Sequence, residues 1–253
     1  VLKTRVIPCL LLRDHGLYKT VKFKDAKYVG DPINAVKIFN DKEVDELILL
    51  DIGATPNKRE PNFELIGDIA GECFMPLTYG GGVNSLDQIR KLHRLGVEKI
   101  SLNTAAFKDR QLVKETCHVF GSSSIVAAID TRKTLFGRHE VWIEGGTVNT
   151  KEDPVRYAEE LNRLGVGEIL VNSIDRDGTG SGYDIDLLKK ISAAVDVSII
   201  ACGGAGSLKD MQALVQQAQI PAVAAGSMFV FHGKHRAVLI SYPTQKELEQ
   251  FLA

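Results

Sequence analysis

Two sets of glycines and small polar residues are the first places in this chain where chemistry could be held. Gly80, Gly81 and Gly82 go with Asn103 and Thr104, and Gly203 and Gly204 go with Gly226 and Ser227. Small residues let backbone N–H groups and a helix N-terminus come close to a phosphate, and Thr104 and Ser227 can add hydroxyl donors. Tight turns use glycines as well. The two sets recur in matched positions, however, which suits a ligand with a phosphate at each end. Asp130 closes VAAID, and an aspartate at a desolvated strand end can serve as general acid or base. Asp175 and Asp177 follow in SIDRDGTGSGYD, where turn or capping roles compete with catalysis. Lys19 stands in DHGLYKTVKFKD, expected to be a long mobile loop, where a lysine either grasps an anion or stays in water.

Such residues need a scaffold, and the chain repeats one. Short apolar, β-branched runs occur at Arg5 to Leu11, Glu46 to Asp51, Phe74 to Tyr79, Lys99 to Leu102, Ile125 to Asp130, Glu168 to Ser173, Val197 to Cys202 and Ala222 to Ala225. Between them lie amphipathic stretches such as DPINAVKIFNDKE, SLDQIRKLHRLG, DPVRYAEELNRLG and SLKDMQALVQQ, which open on Asp-Pro or Ser caps. Nearly continuous apolar strands are expected where both faces of a parallel sheet are covered. Eight strand and helix units in 253 residues have the size of a (β/α)8 TIM barrel, with a doubly wound open sheet as the competing architecture. Active sites of such barrels lie in the loops that follow the strands, where the residues named above fall.

The two halves also resemble each other. GGGVNSL from Gly80 recurs as CGGAGSL from Cys202, DELILLD from Asp45 lies over GEILVNS from Gly167, and SLNTAAF from Ser101 lies over VAAGSMF from Val223. A period this long marks duplication rather than a solenoid. The expectation is one domain over residues 1–253, built from half-barrels of about 1–122 and 123–253. TLFGRHEVWIEGG, residues 134–146, breaks the rhythm and reads as a hairpin over one rim.

With 44% hydrophobic and 25% charged residues the chain can bury a large core, and a formal net charge of -1 without basic blocks argues against nucleic acid or an anionic membrane as partner. The opening VLKTRVIPCLLLRD lacks a signal-peptide layout, and no run is long enough to span a bilayer. Cys9, Cys73, Cys117 and Cys202 show no paired spacing, so reduced thiols and a cytoplasmic location are expected. No metal cluster, GxGxxG motif or nucleophilic triad stands out, so no bound cofactor is expected. His93 and His118 fall in helix-like segments and read as packing or surface residues, while His15, His139 and His232 are unassigned.

RVIPCL, GDP, LTYGGGV, SLNTAA, VAAID, GEILVNSIDRDGTGSGYD and IIACGGAG together resemble the cyclase subunit (HisF family) of imidazole glycerol phosphate synthase, over essentially the whole chain. The resemblance implies a barrel that receives ammonia from a glutaminase at the N-terminal face of the strands. The ammonia is then used at the opposite face on a bis-phosphorylated ribonucleotide. It places an ammonia gate on Arg5, Glu46, Lys99 and Glu168. Two cations and two anions at strand starts can plug a pore, or simply form a salt-bridge cluster. Phosphate-site positions fall on Gly82, Asn103, Thr104, Gly203, Gly204, Gly226 and Ser227, and Lys19, Asp51 and Asp177 match substrate-site positions.

One position departs. The family pairs an aspartate after I-P-C-L with the carboxylate that falls on Asp130, and here that position is Leu11, which can neither donate nor accept a proton. Asn172 and Cys202 depart as well, at small polar positions. IPCLL with KTVKF resembles paralogues associated with surface-polysaccharide synthesis. These imply a glutaminase partner, a separate amidotransferase and amidation of a sugar nucleotide. Two alternatives stand beside this reading: a true cyclase of histidine synthesis using Asp130 and Asp177, and a noncatalytic activator of a glutaminase. A related single-chain isomerase shares the bis-phosphate grip, but Leu11 counts against it equally.

Overall fold

The computed structural model describes residues 4–252; the first three residues of the opening apolar run lie outside the described residues. Eight parallel strands form the centre: β1 (Arg5–Arg13), β2 (Leu47–Asp51), β3 (Leu77–Gly80), β4 (Lys99–Leu102), β5 (Ile125–Lys133), β6 (Glu168–Ser173), β7 (Ser198–Cys202) and β8 (Ala222–Ala225). Each pairs with the next in sequence, and β8 returns to β1 with Arg5 opposite Ala222 and Pro8 opposite Ala225, so the sheet closes on itself as a (β/α)8 barrel. Closure excludes the open doubly wound sheet. The outer ring is α1 (Pro32–Asp41), α2 (Phe63–Gly71), α3 (Leu86–Arg94), α4 (Arg110–Phe120), α5 (Pro154–Leu164), α6 (Ile185–Ala194), α7 (Leu208–Ala218) and α8 (Gln245–Leu252). Among the described residues no helix is long and apolar enough to cross a membrane.

Local chemistry sets the helix ends. Asp31 and Asp153 accept hydrogen bonds from backbone N–H groups of the first turns of α1 and α5, each with proline at the start of the helix, where its missing N–H costs nothing. Gly165 ends α5 in the left-handed conformation, at φ 91°. Ser85 caps α3 and Ser207 forms a capping box with Asp210 on α7.

Alternation along the strands divides the apolar residues between two cores. Outward residues such as Val6, Leu49 and Val171 pack under the helices, while Ile7, Ile48, Val126, Leu170 and Ile200 fill the barrel interior. Fully burying an aliphatic side chain is worth about 1.5–3 kcal/mol, so this interior plug is a main support of the barrel.

Two antiparallel extensions rise above the C-terminal ends of the strands. The segment after β1, expected to be a mobile loop, is instead a hairpin of Gly16–Val21 and Lys24–Gly30, with Leu17 opposite Leu12 on the extended end of β1. Its turn is made by Lys22 and Phe23 at φ 54° and 61°, the left-handed pair that a two-residue hairpin turn requires. The other extension continues β5 through a turn at residues 134–138 into His139–Ile143 and Val148–Asn149. It agrees with the hairpin expected over 134–146. The expected start of β3 at Phe74 moves to Leu77, because Phe74 is 84% exposed and Pro76 carries no N–H for a ladder.

Candidate functional site

At the N-terminal ends of the strands, the inward side chains of Arg5, Glu46, Lys99 and Glu168 form a closed ring of alternating charge. Arg5 Nη1 donates to Glu46 Oε2 at 2.6 Å, Lys99 Nζ donates to Glu46 Oε1 at 3.0 Å and to Glu168 Oε2 at 2.8 Å, and Arg5 Nη2 completes the circuit on Glu168. Thr78 donates to Glu46 Oε1 at 3.1 Å, and Ser198 lies under Arg5 at 3.5 Å. Burial pulls the Arg5 pKa down, but the two carboxylates outweigh it and the guanidinium is held above its usual range. Two cations and two anions cancel, so a charged layer is tolerated beneath an apolar interior.

Above the ring a largely apolar layer around Ile7, Ile48, Ala128, Leu170 and Ile200 fills the interior, which becomes polar at the opposite end. The mouth is a cavity of about 480 Å³, lined by both glycine-rich sets and by Leu11, Lys19, Asp130, Asn172 and Asp177. Lys19, a candidate for solvation by sequence, is only 5% exposed, and its Nζ donates to Cys9 O at 2.5 Å. The hairpin carries it inward across the cavity wall beside Gly226, where any Cβ would overlap the ammonium. Burial lowers the Lys19 pKa, partly offset by Cys9 and Asp177.

Asp130 closes the inner face of β5. Burial, with the Asp177 charge behind it, pushes its carboxyl up to about 7. Asn103 Nδ2 donates to Asp130 Oδ2 at 3.2 Å and to Ala128 O at 3.0 Å. Asp177 is also raised by burial, against hydrogen bonds from Thr20 Oγ1 at 2.7 Å and Phe23 N at 3.3 Å, which tie the first hairpin to the loop after β6. Leu11 lies on β1, four strands from β5 around the ring, and pairs in register with Leu50 of β2. An apolar wall therefore stands across the mouth from Asp130. Cys9 and Cys202 are free thiols in the same interior, and the Cys9 contact together with burial raises Cys202 well above its usual range.

The two glycine-rich sets open onto the same cavity but are differently occupied. In the first, Gly82 N–H donates to Thr55 Oγ1 at 3.2 Å. The Thr104 hydroxyl donates to Asn103 Oδ1 at 3.2 Å and accepts from Glu144 N at 2.9 Å, which fastens the β5 hairpin to this set. In the second, Gly204 O accepts from Gly182 N at 2.8 Å, while among the described residues no protein group takes the Gly204 N–H or the Ser227 hydroxyl. Gly203 and Gly204, at φ 86° and 109°, press against Ser173 and Gly182 so closely that a Cβ would enter the neighbouring backbone.

Other sequence candidates hold structure together. The Asp51 carboxylate accepts from Gly53 N and Ala54 N at 2.8 and 2.9 Å, and so caps a turn at the cavity wall. Asp175 accepts from Lys133 N at 2.7 Å. His93 Nδ1 pairs with Val97 O at 2.8 Å and its ring packs on Phe120. His139, unassigned from sequence, meets Asp184 Oδ2 at 2.9 Å and, with the helix-capping bond to Leu187, holds the Asp184 carboxyl down at about 2. Sequence reasoning missed Thr78 and Ser198 at the ring and Leu50 and Ser101 at the cavity wall; their inward parity on the strands was the available signal.

Comparison with known proteins fits this geometry. The histidine biosynthesis protein family matches residues 5–236. A Pseudomonas aeruginosa protein named "Putative imidazole glycerol phosphate synthase subunit hisF2" is 57% identical over 249 residues, covering 98% of this chain and 99% of that protein. A Vibrio vulnificus protein named "Putative imidazole glycerol phosphate synthase subunit hisF3" is 47% identical over 100% of this chain and 97% of its own length. The imidazole glycerol phosphate synthase subunit HisF of a Hydrogenobaculum species is 42% identical over 91% of this chain and 92% of its own. A family match across most of the sequence, relatives matched nearly end to end and a closed eight-stranded barrel lead to one conclusion: the chain belongs to the histidine biosynthesis protein family, as one of its HisF-like barrels.

Proposed function

We propose that this barrel is the synthase-side subunit of a glutamine amidotransferase. In this reading it takes ammonia from a glutaminase bound over the charged ring and releases it at the mouth, for amidation of a sugar nucleotide in surface-polysaccharide synthesis rather than for imidazole formation. The observation that supports it is a closed charged ring below a mouth with a leucine opposite its carboxyl: Arg5, Glu46, Lys99 and Glu168 close the ring, while Leu11 faces Asp130 where acid-base chemistry would need a second titrating group. Ammonia is small and neutral when unprotonated, and an apolar interior disfavours its protonated form. Opening the ring at the protein's base would admit it, and the layers around Ile7, Ile48, Leu170 and Ile200 would keep water from following.

Lys19, Gly82, Asn103, Thr104, Asp177, Gly203, Gly204, Gly226 and Ser227 would bind the anionic acceptor, and Asp51 would support the wall behind the first loop. The names of the relatives, all synthase subunits, support a glutaminase partner for this chain. Free, buried or half-buried cysteines suit a reducing cytoplasm.

A second reading keeps cyclase chemistry on Asp130 with Asp177, since burial raises the Asp130 carboxyl to about 7, where it can exchange a proton near neutral pH, and raises Asp177 as well. One assay separates the two: ammonia-dependent turnover of the histidine-pathway ribonucleotide by wild type and by Leu11→Asp at alkaline pH, where free ammonia is abundant. The leading reading expects an inactive wild type and restored turnover in the variant. Wild-type turnover on the order of 1 per second would sink it in favour of the cyclase.

A further inference from the structure

The mouth is divided by chemistry as well as by strands. Asp130 on β5 and Asn172 on β6 are register partners, and so are Leu11 on β1 and Leu50 on β2. In the closed ring β1 stands opposite β5 and β2 opposite β6. A pair of polar side chains therefore faces a pair of leucines across the same cavity.

Asn172 is the unexplained member of this arrangement. The residue is buried at 8% exposure, it lines the cavity, and among the described residues its Oδ1 has no hydrogen-bond partner. Its neighbours explain why. Cys202 on one side offers only a thiol, and Asp130 on the other is already bonded to Asn103. Gly203, where a Cβ would come within 2.7 Å of Asn172 Oδ1, contributes no side chain at all. A carboxamide carries two donors and two acceptor positions, and leaving them unused in a buried site is costly. As it stands the Asn172 oxygen is turned away against Gly203, without accessible surface, and the nitrogen is the end left for the cavity; a half-turn of the amide exchanges the two and brings the oxygen to a ligand.

We propose that Asp130 and Asn172, with Leu11 and Leu50 opposite, form a subsite for a secondary amide: the acylamino group of a phosphorylated amino sugar. The ligand N–H donates to Asn172 Oδ1 or Asp130, its carbonyl accepts from Asn172 Nδ2 or from Asp130 when protonated, and its acyl methyl lies against the leucines. A hydroxyl at the same place would satisfy one bond and leave the leucines facing water. Two carboxylates across the mouth would offer the methyl no apolar wall, so the replacement at Leu11 and the unpaired Asn172 belong to one recognition pattern. The phosphorylated part of this ligand rests on the anionic acceptor of the proposed function; the amide subsite rests on Asn172 itself.

Calorimetric titration of the whole protein with N-acetylglucosamine 1-phosphate, glucose 1-phosphate and inorganic phosphate tests it. The acylamino sugar phosphate should bind about tenfold tighter than glucose 1-phosphate, as expected for recovering one to two buried hydrogen bonds. That ratio should fall to about one in Asn172→Leu. Asn172→Ala, which cannot overfill the mouth, should do the same with a thermal unfolding curve like that of wild type. Equal affinities in wild type overturn the subsite and leave the phosphate loops standing. Failure of all three probes to bind would remove the phosphate reading instead. The decision then passes to acetamide: a shift of the Asn172 side-chain amide resonance with acetamide, and none with methanol, supports the subsite, and an unmoved resonance overturns it.

Discussion

The two glycine-rich sets at the mouth look alike in sequence and differ in what their polar groups are doing. The first has committed several of its donors to the protein: Gly82 N–H to Thr55, the Thr104 hydroxyl to Asn103, and the Asn103 amide to Asp130 and Ala128. The second leaves the Gly204 N–H and the Ser227 hydroxyl without a partner among the described residues, on a loop whose glycines fit closely against their neighbours. Repetition of a motif thus preserves a backbone shape, while the side chains that later elements bring against it decide how much binding capacity is left. Here the β5 hairpin, through Glu144, occupies the first set. The second should be the stronger anion site and the first the more rigid wall.

Gly204→Ala is the strongest challenge to that contrast. A Cβ at φ 109° would sit 2.1 Å from Gly182 O, so the substitution should cost roughly 3 kcal/mol or more and weaken phosphate binding at least about tenfold. Phosphate titration with denaturant unfolding reads both. Gly82→Ala, also strained at φ 73°, should lose stability with a smaller loss of phosphate affinity than Gly204→Ala.

Asp130→Asn should give the next largest effect and act on the first set, through Asn103. Burial raises the folded pKa of Asp130 to about 7, above the ordinary unfolded value, so the native state binds the extra proton. Stability should therefore decline as pH rises from about 4 to about 7, and the asparagine variant should lack that decline, gaining roughly 2–3 kcal/mol over wild type at pH 8. Identical pH profiles of unfolding in the two proteins would remove the buried-carboxyl account.

Thr104→Val keeps the shape but strands Glu144 N–H and Asn103 Oδ1, at a cost of about 1–2 kcal/mol. Faster amide exchange should be confined to the hairpin strands over residues 139–149; uniform acceleration would mean that the fastening is not local. Ser227→Ala should have the smallest effect, about a fivefold loss of phosphate affinity without loss of stability, because its hydroxyl has no protein partner to abandon.

These contrasts mark where sequence reading stops. The barrel was legible because inward and outward positions both had to be apolar, which produces runs like IVAAI, and because Asp-Pro and Ser at helix starts announce the caps. The charges at Arg5, Glu46, Lys99 and Glu168 could be placed through the family resemblance, but their hydrogen bonds join residues from four separate strands. Lys19 was misread as belonging to a mobile loop because its hairpin is held by Asp177, distant in sequence, and not by a strong local turn signal. Asn172 was visible as an unusual residue at a strand end. That nothing pairs with its oxygen depends on Cys202, Gly203 and the prior engagement of Asp130, which no local pattern encodes.

The charged ring also bears on the order in which the chain assembles. Arg5 and Glu168 are 163 residues apart and Lys99 and Glu168 are 69 apart, so the fourth charge can join only after β6 has been made. Until then Glu46 holds two cations, and β1 still lacks the β8 neighbour that completes its pairing. Loop closure over such separations is entropically costly and slow. The ring is thus a late clasp, and a nascent chain that has emerged only through β5 carries a ring with one cation too many, Arg5 and Lys99 against Glu46 alone.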